Sequence, residues 1–401
     1  MKIEAAGFDE GRLERITEHL AGRYVEPGKI AGCQALVARM GRVAYFRSFG
    51  HADIERKRPV REDTVWRIYS MTKPITSVAL MTLYEQARFQ LGDPVRRFIP
   101  EWRDQKVCEA GADGAGRLVE PDRPVTVRDL LTHTSGLTYG RDPADPVDRR
   151  YVEAGLWGPE VTLDEQVRRL GELPLRFQPG TRWQYSFATD VCGRLVEIIA
   201  GRPFDQYLRE AIFEPLGMTD TGFVVPESAR DRFAANYRRS PQKQLERIDD
   251  SAARPYLTQP PLCSGGGGLV STTADYLRFA EMLRRGGELD GVRVLGRNTV
   301  RYMTRNHLPG GASLRGLALG GFGETGFDGV GFGLGFAVSL DPVETQTVGS
   351  RGDFYWGGAA STIFWVDPVE QLVVIFMTQL MPSGTFNFRG QIAQLVHQAL
   401  V

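Results

Sequence analysis

The hydrophobic pattern of the chain has a period of two residues near both ends and a helical period in the middle. Alternating apolar and polar residues predict strands at 31–39 and 42–49, separated by the tight hairpin turn Met40-Gly41-Arg42. Further strands are predicted in the last third of the chain, at 334–340, 345–349, 361–366 and 371–378. Apolar residues at helical spacing predict helices at 8–24, 70–90, 127–132, 162–171, 188–200, 203–213, 272–285 and 388–400.

Strands at both chain ends with helices between them predict a fold of the α/β class. The simplest arrangement is one antiparallel sheet built from both ends and flanked by helices, with the middle of the chain folded as a mostly helical lobe. We expect a single domain over 1–401, with an α/β lobe from about 1–65 and 265–401 and a helical lobe from about 66–264. A cleft between two such lobes is a common place for an active site.

The composition removes several function classes from consideration. Basic and acidic residues both number 49, so the formal net charge is zero and nothing indicates a nucleic acid partner. The four cysteines are scattered, and no cysteine or histidine spacing is typical of a metal site. The first residues are charged and no apolar stretch is long enough to span a membrane, which predicts a cytoplasmic protein without a membrane partner.

The most informative short motif is Ser70-Met71-Thr72-Lys73, at the start of a strongly apolar predicted helix. Helical residues three apart lie on one face, so Ser70 Oγ and Lys73 Nζ can meet. A serine hydroxyl needs a neighbouring base to become a nucleophile, and a half-buried lysine can be that base. Because only 6 residues of the chain are lysine, a lysine in an apolar segment indicates a specific role.

The Ser-x-x-Lys spacing alone does not decide between catalysis and structure. A second copy, Ser240-Pro241-Gln242-Lys243, lies in a polar run with no apolar helix behind it, and we interpret it as a surface loop. The alternative role of Ser70 is that of an N-cap, whose hydroxyl accepts a hydrogen bond from the helix backbone. Catalysis also requires groups that move a proton and stabilise an oxyanion.

Two later segments carry candidates for those groups. Tyr185 lies on a turn-rich loop before an apolar helix, so its phenol can point into a cleft; the alternative is an ordinary half-buried tyrosine. The segment Trp356-Gly357-Gly358-Ala359 lies beside a predicted strand, and its glycines allow a ligand to approach the backbone. The N–H groups of Ala359 and Ser70 are candidates for an oxyanion hole; the alternative is a turn without function.

Other catalytic and binding systems have weaker support. A Gly-x-Ser-x-Gly motif does not occur in the chain. His133 is the one histidine in a notable setting, and a structural role is the commoner one, but a Ser–His–Asp triad stays open because triads assemble in space. The run Ser264-Gly265-Gly266-Gly267-Gly268 lacks the Lys-Ser or Lys-Thr of a phosphate-binding loop and predicts a flexible corner.

Taken together, these motifs resemble those of a known family. Ser70-Met71-Thr72-Lys73, Tyr185-Ser186-Phe187 and Trp356-Gly357-Gly358 follow the order and rough spacing of the three motifs of class C β-lactamases and penicillin-binding proteins. Ser-Met-Thr-Lys combined with Trp-Gly-Gly is most similar to the family VIII carboxylesterases, the esterase branch of that superfamily. The resemblance spans roughly residues 8–400 and implies a β-lactamase-like serine hydrolase fold, in agreement with the sheet and helical lobe predicted above.

The resemblance also implies a role for each motif residue. Ser70 would be the acyl-accepting nucleophile, Lys73 the amine that assists its deprotonation, and Tyr185 the proton shuttle. The N–H groups of Ser70 and Ala359 would form the oxyanion hole. No metal and no organic cofactor are implied, and the partner would be a small-molecule ester.

Two departures from the β-lactamase motifs concern the substrate. Phe187 stands where the second motif usually has asparagine, and Trp356 stands where the third usually has lysine. Loss of a charge-assisted contact costs about 1.5–3 kcal/mol, so we expect the pocket to prefer neutral, apolar esters over carboxylate-bearing lactams. The candidates for substrate contact are Trp356, Gly357, Gly358, Phe187 and Tyr139.

The predicted function is that of a serine carboxylesterase, which hydrolyses short- to medium-chain esters through an acyl-enzyme at Ser70. Two alternatives stay open. The same acyl-enzyme could serve a weak β-lactamase, a D-amino-acid peptidase or a transacylase. The chain could also be a non-catalytic protein of the penicillin-binding type, against which the complete set of Ser70, Lys73 and Tyr185 argues.

Overall fold

The computed structural model describes residues 5–110, 116–248, 256–320 and 326–401. Its α-helices are α1 (Glu10–Leu13), α2 (Arg15–Leu20), α3 (Thr72–Glu85), α4 (Val127–Leu131), α5 (Pro146–Glu153), α6 (Leu163–Glu172), α7 (Ala188–Ala200), α8 (Phe204–Leu208), α9 (Glu214–Leu216), α10 (Thr273–Arg284), α11 (Arg297–Met303), α12 (Leu314–Leu317), α13 (Pro342–Thr345) and α14 (Phe388–His397).

The strands are short outside the main sheet. They are β1 (Gly32–Arg39), β2 (Arg42–Asp53), β3 (Arg58–Pro59), β4 (Val65–Arg67), β5 (Val107–Ala110), β6 (Gly116–Val119), β7 (Tyr237–Arg239), β8 (Leu245–Arg247), β9 (Val270–Thr272), β10 (Glu288–Leu289), β11 (Val292–Arg293), β12 (Val330–Phe332), β13 (Ala337–Ser339), β14 (Phe354–Gly357), β15 (Ile363–Asp367), β16 (Leu372–Thr378) and β17 (Leu380–Met381).

An antiparallel sheet joins the two ends of the chain. Its strand order is β12-β13-β14-β15-β16-β1-β2-β3. At its centre β1 pairs with β16, where Leu36 lies opposite Ile375 and Val37 opposite Val374. Every residue of β16 is buried, as expected for a strand that is covered on both faces. The prediction of one antiparallel sheet built from both chain ends is confirmed.

Helices cover both faces of this sheet. On the face that we call outer, α14 packs against β16 through Phe388 and Phe376, whose ring centroids are 4.8 Å apart. On the opposite, inner face, α10 packs against β15 through Tyr276 and Phe364, whose ring centroids are 4.9 Å apart. The core therefore continues from the sheet into helices on both sides.

The chain between β4 and β9 carries helices α3 to α9, with α3 against α7. The side chains of α3 from Thr72 to Leu83 are all buried, which explains why the segment is apolar on every side. The hairpins β5–β6 and β7–β8 also lie in this part of the chain and were not predicted. The division into lobes at about residues 65 and 265 stays a prediction.

One predicted strand differs from the structure for an identifiable reason, and the first predicted helix is divided. Within the described range 326–401, no strand forms at 345–349. Instead, Asp341 accepts a hydrogen bond from Val343 N–H at 2.8 Å and caps α13, after which Gln346 has a left-handed backbone with a φ of 53°. The predicted helix at 8–24 is divided into α1, α2 and the π turn Ala21–Val25.

Candidate active site

Ser70 lies at the bend where β4 ends and α3 begins. It is the middle residue of the 3-10 turn Tyr69–Met71 and is half-buried. Tyr69 has a φ of 43°, in the left-handed region that is unfavourable for residues other than glycine and is enriched at functional sites. Helix α3 begins after Met71 without a side-chain cap, so the alternative of Ser70 as its N-cap is wrong.

Lys73 places its amine beside the Ser70 hydroxyl. Its Nζ donates hydrogen bonds to Ser70 Oγ at 3.3 Å and to Gly266 O at 2.5 Å. Only 2% of the surface of Lys73 is exposed. An amine buried this deeply needs such acceptors, because its surroundings replace water. The structure thus brings together the two groups of the first motif.

The carbonyl that accepts the Lys73 hydrogen bond belongs to the buried glycine segment 264–268. A Cβ on Gly265 would lie 2.7 Å from Thr189 O, and a Cβ on Gly266 would lie 2.4 Å from Asp190 Oδ2. The segment therefore needs glycine for close packing against the first turn of α7. The prediction of a flexible corner is wrong, because these glycines allow close approach instead of mobility.

Tyr185 approaches Lys73 from the loop before α7. Lys73 Nζ lies 4.5 Å from the centroid of the Tyr185 ring and 5.6 Å from that of Tyr139. The Cζ atom of Arg141 lies 5.7 Å from the centroid of the Tyr185 ring. Two cations beside one phenol stabilise a negative charge on it, which favours a role of Tyr185 in proton transfer.

The third motif approaches the Ser70 turn through β14. β13 pairs with β14 at Phe354 and Tyr355, whereas Trp356 and Gly357 lie beyond that pairing. β14 contacts the 3-10 turn of Ser70. A Cβ on Gly358 would lie 2.5 Å from Ile68 O, so only glycine allows so close an approach of the two segments.

The two backbone N–H groups predicted to form an oxyanion hole lie where these elements meet. In the described parts of the chain, neither Ser70 N–H nor Ala359 N–H donates a hydrogen bond to the protein. Both residues are half-buried, at the point where the turn and the end of β14 meet. An oxyanion hole requires N–H groups that are fixed in advance and available to the substrate.

Aromatic side chains form a connected wall around these groups. The ring centroids of Trp356 and Tyr185 are 5.5 Å apart. Those of Phe187 and Tyr139 are 4.6 Å apart, and those of Trp157 and Phe187 are 5.3 Å apart. Trp356 and Phe187 are almost completely buried, whereas Tyr139 is half-buried and Trp157 is 37% exposed. Trp356 and Phe187 therefore support the two tyrosines, and their contact with a substrate stays a prediction.

His133 packs directly against Tyr185, with ring centroids 5.0 Å apart. Burial, with a smaller contribution from the charge of Lys73, lowers the pKa of His133 well below its ordinary value, so its imidazole is neutral. The hydrogen-bond partner of Ser70 Oγ within the described residues is Lys73 and not a histidine. This arrangement does not support a Ser–His–Asp triad.

Two other residues at the site were missed by motif analysis. Asp190 is a fully buried carboxylate in the otherwise apolar first turns of α7, and a charge in an apolar helix is a signal that could have indicated it. Arg141 has no comparable signal, because one arginine among many surface arginines is not distinctive.

The described residues also bear on metal binding and on membrane insertion. Within them, no three His, Cys, Asp or Glu side chains come together as a metal ion would require. None of the described helices combines the length and the apolar character needed for crossing a lipid bilayer.

A sequence model of the Beta-lactamase family matches residues 17–398. The chain belongs to the β-lactamase family. Esterase EstB of Burkholderia gladioli is 34% identical over 397 residues, which cover 95% of this chain and 94% of EstB. Monacolin J acid methylbutanoyltransferase of Aspergillus terreus is 30% identical over 361 residues, which cover 85% of this chain and 84% of that enzyme.

Among solved structures, the chain is similar to EstCE1, described as a hydrolase with promiscuous acyltransferase activity. The TM-score is 0.81 at 29% identity, and the match covers 97% of this chain and 99% of EstCE1. These matches confirm the β-lactamase-like fold and the predicted resemblance to the esterase branch of the superfamily, and with it the prediction of a serine hydrolase.

Proposed function

We propose that this chain is a serine carboxylesterase, which hydrolyses short- to medium-chain esters through an acyl-enzyme at Ser70. The observation that carries the proposal is the convergence of three motifs, with Lys73 Nζ 3.3 Å from Ser70 Oγ and 4.5 Å from the centroid of the Tyr185 ring. The similarity to EstB supports an ester as the substrate. A location in the cytoplasm and the two-lobed single domain remain part of the proposal.

The reaction would proceed in two halves. Ser70 Oγ attacks the ester carbonyl carbon and forms a new C–O bond, while its proton passes to the Lys73 and Tyr185 pair. The negative charge on the carbonyl oxygen is held by the N–H groups of Ser70 and Ala359. Cleavage of the ester C–O bond releases the alcohol, which takes a proton from Tyr185. Water then attacks the acyl-enzyme by the same route, and the carboxylic acid leaves.

The aromatic wall supports a preference for neutral, apolar esters. At the third motif, an indole stands where a lysine would hold the carboxylate of a lactam. At the second motif, Phe187 contacts the rings of Tyr139 and Trp157 and offers no hydrogen bond. Residues 187 and 356 would therefore give a carboxylate neither a hydrogen bond nor a charged partner in exchange for the water it loses.

Trp356→Lys should shift the selectivity from esters towards β-lactams. The ratio of kcat/KM for nitrocefin to kcat/KM for p-nitrophenyl butyrate should rise about tenfold or more, because an ammonium at this position contributes a charge-assisted contact. Trp356→Leu is the matched control, because it removes the indole without adding a charge. If both variants change the ratio equally, Trp356 acts only as support for Tyr185.

Acyl transfer is the second candidate function, favoured by the acyltransferase activity named for EstCE1. Both functions use the same acyl-enzyme and differ in the acceptor. With p-nitrophenyl butyrate in water that contains ethanol as a competing acceptor, we expect butyric acid to be the main product by gas chromatography. Ethyl butyrate as the main product would instead identify a transferase and contradict the esterase proposal.

A further inference from the structure

Asp190 lies at the junction of two segments that each carry a catalytic motif. It belongs to the first turn of α7, five residues after Tyr185, and its side chain is completely buried. Its Oδ1 accepts hydrogen bonds from Ser264 Oγ at 2.6 Å and from Gly266 N–H at 3.1 Å. The carboxylate thus binds the glycine segment 264–268 to the helix that follows the second motif.

Gly266 connects Asp190 to the reacting groups. Its N–H donates to Asp190, and its carbonyl accepts the hydrogen bond of Lys73 Nζ at 2.5 Å. Lys73 in turn donates to Ser70 Oγ. The position of the amine therefore depends on Gly266, and the position of Gly266 depends on Asp190.

The second carboxylate oxygen of Asp190 does not contribute to stability through a hydrogen bond. In the described parts of the chain, Oδ2 of Asp190 is buried and has no hydrogen-bond partner. It lies against Gly266, where a Cβ would come within 2.4 Å. A buried oxygen without a partner is unfavourable, and a smaller neutral residue would avoid that cost.

We propose that Asp190 is a positioning residue for Lys73, holding Gly266 so that the amine stays within reach of the Ser70 hydroxyl. The proposal rests on the acyl-enzyme chemistry proposed above. Asp190 does not touch the reacting atoms itself. Its removal should therefore lower the rate of acylation and leave substrate binding nearly unchanged, because a misplacement of about 1 Å in a catalytic group can reduce the rate about 100-fold.

The test compares Asp190→Ala and Asp190→Asn with the wild-type enzyme. For p-nitrophenyl butyrate, we expect Asp190→Ala to lower kcat about 100-fold with KM within about twofold, and to slow labelling of Ser70 by a fluorophosphonate by a similar factor. Asp190→Asn keeps an acceptor oxygen for Ser264 and Gly266, so it should recover about a tenth of the wild-type rate.

Asp275→Asn is a matched control for the stability of the fold. Asp275 is also buried in the first turn of a helix, α10, and also accepts from a hydroxyl and a backbone N–H, those of Thr221 at 2.9 Å and Asp220 at 2.8 Å. Its partners do not belong to the segment that binds Lys73. The control should lower the melting temperature as much as Asp190→Asn while kcat remains within about threefold of the wild type.

Three results with the variants would overturn the proposal. The first is a kcat of Asp190→Ala within about threefold of the wild type. The second is a loss of kcat in Asp275→Asn that equals the loss in Asp190→Asn. If Asp190→Ala does not fold, Ser264→Ala replaces it in the test, because it removes one of the two hydrogen bonds to the carboxylate. We expect Ser264→Ala to lower kcat about fivefold. An unchanged kcat in Ser264→Ala would be the third contradicting result. Wild-type enzyme that neither turns over esters nor becomes labelled would instead overturn the proposed function, and this proposal with it.

Discussion

Ser70→Ala should lower the kcat of p-nitrophenyl butyrate hydrolysis by about 10,000-fold or more. The Oγ that forms the acyl bond is the only atom removed, and Lys73 Nζ retains its hydrogen bond to Gly266 O. The N–H of residue 70 also remains as an oxyanion donor. The loss of kcat therefore measures the contribution of the nucleophile, because the rest of the site remains in place. The measurement is the steady-state rate, together with the intact mass after treatment with a fluorophosphonate, which should show no adduct.

The second Ser-x-x-Lys copy supplies the control for this result. Ser240 and Lys243 lie in the turn of the β7–β8 hairpin, where Ser240 N–H donates to Gln244 O at 2.9 Å. Ser240→Ala should leave both the rate and the labelling unchanged. Turnover by Ser70→Ala at a rate near that of the wild type would refute the assignment of the nucleophile. Absence of any adduct on the wild-type protein would favour the non-catalytic alternative.

Tyr185→Phe should lower kcat about 1,000-fold, because general acid–base catalysis contributes about 100- to 10,000-fold and this variant removes only the phenolic O–H. The ring contacts with Trp356 and His133, at centroid distances of 5.5 Å and 5.0 Å, are retained. The fold should therefore keep its melting temperature within about 2 °C. Stopped-flow measurement of the p-nitrophenol burst would show that acylation itself is slowed.

Tyr139→Phe is the matched control for the phenol of Tyr185. Both rings lie beside the amine of Lys73. The centroid of the Tyr139 ring is 5.6 Å from Lys73 Nζ, whereas that of the Tyr185 ring is 4.5 Å away. We expect Tyr139→Phe to keep kcat within about threefold of the wild type, because the ring of Tyr139 is the more distant of the two from the amine that exchanges the proton. Equal losses in the two variants would mean that neither tyrosine is the specific proton carrier.

Local sequence signals predicted the parts of the site that depend on neighbouring residues. The spacing of Ser70 and Lys73 predicts that both lie on one side of a helical turn, and the structure brings Nζ to 3.3 Å from Oγ. The position of Tyr185 before an apolar helix is likewise a local feature, which appears as the loop before α7. These signals need no knowledge of the remaining chain.

Contacts between distant segments could not be predicted in the same way. The bond from Lys73 to Gly266 and the close approach of Gly358 to Ile68 depend on how helices and strands pack. The sequence offers only glycines there, and a glycine is equally compatible with a turn, a flexible corner or close packing. The strand predicted at 345–349 failed for a related reason, because capping by Asp341 outweighed the β propensity of this short segment.

The pairing of β1 with β16 has a consequence for the synthesis of the protein. Arg39 lies opposite Leu372, so one edge of the early hairpin has no native neighbour until nearly the whole chain has left the ribosome. At about 5–20 residues per second, that interval lasts tens of seconds. An apolar strand with an open edge is prone to associate with other chains during such a delay. We therefore expect chaperone availability during translation, more than the final stability of the enzyme, to limit the yield of active protein.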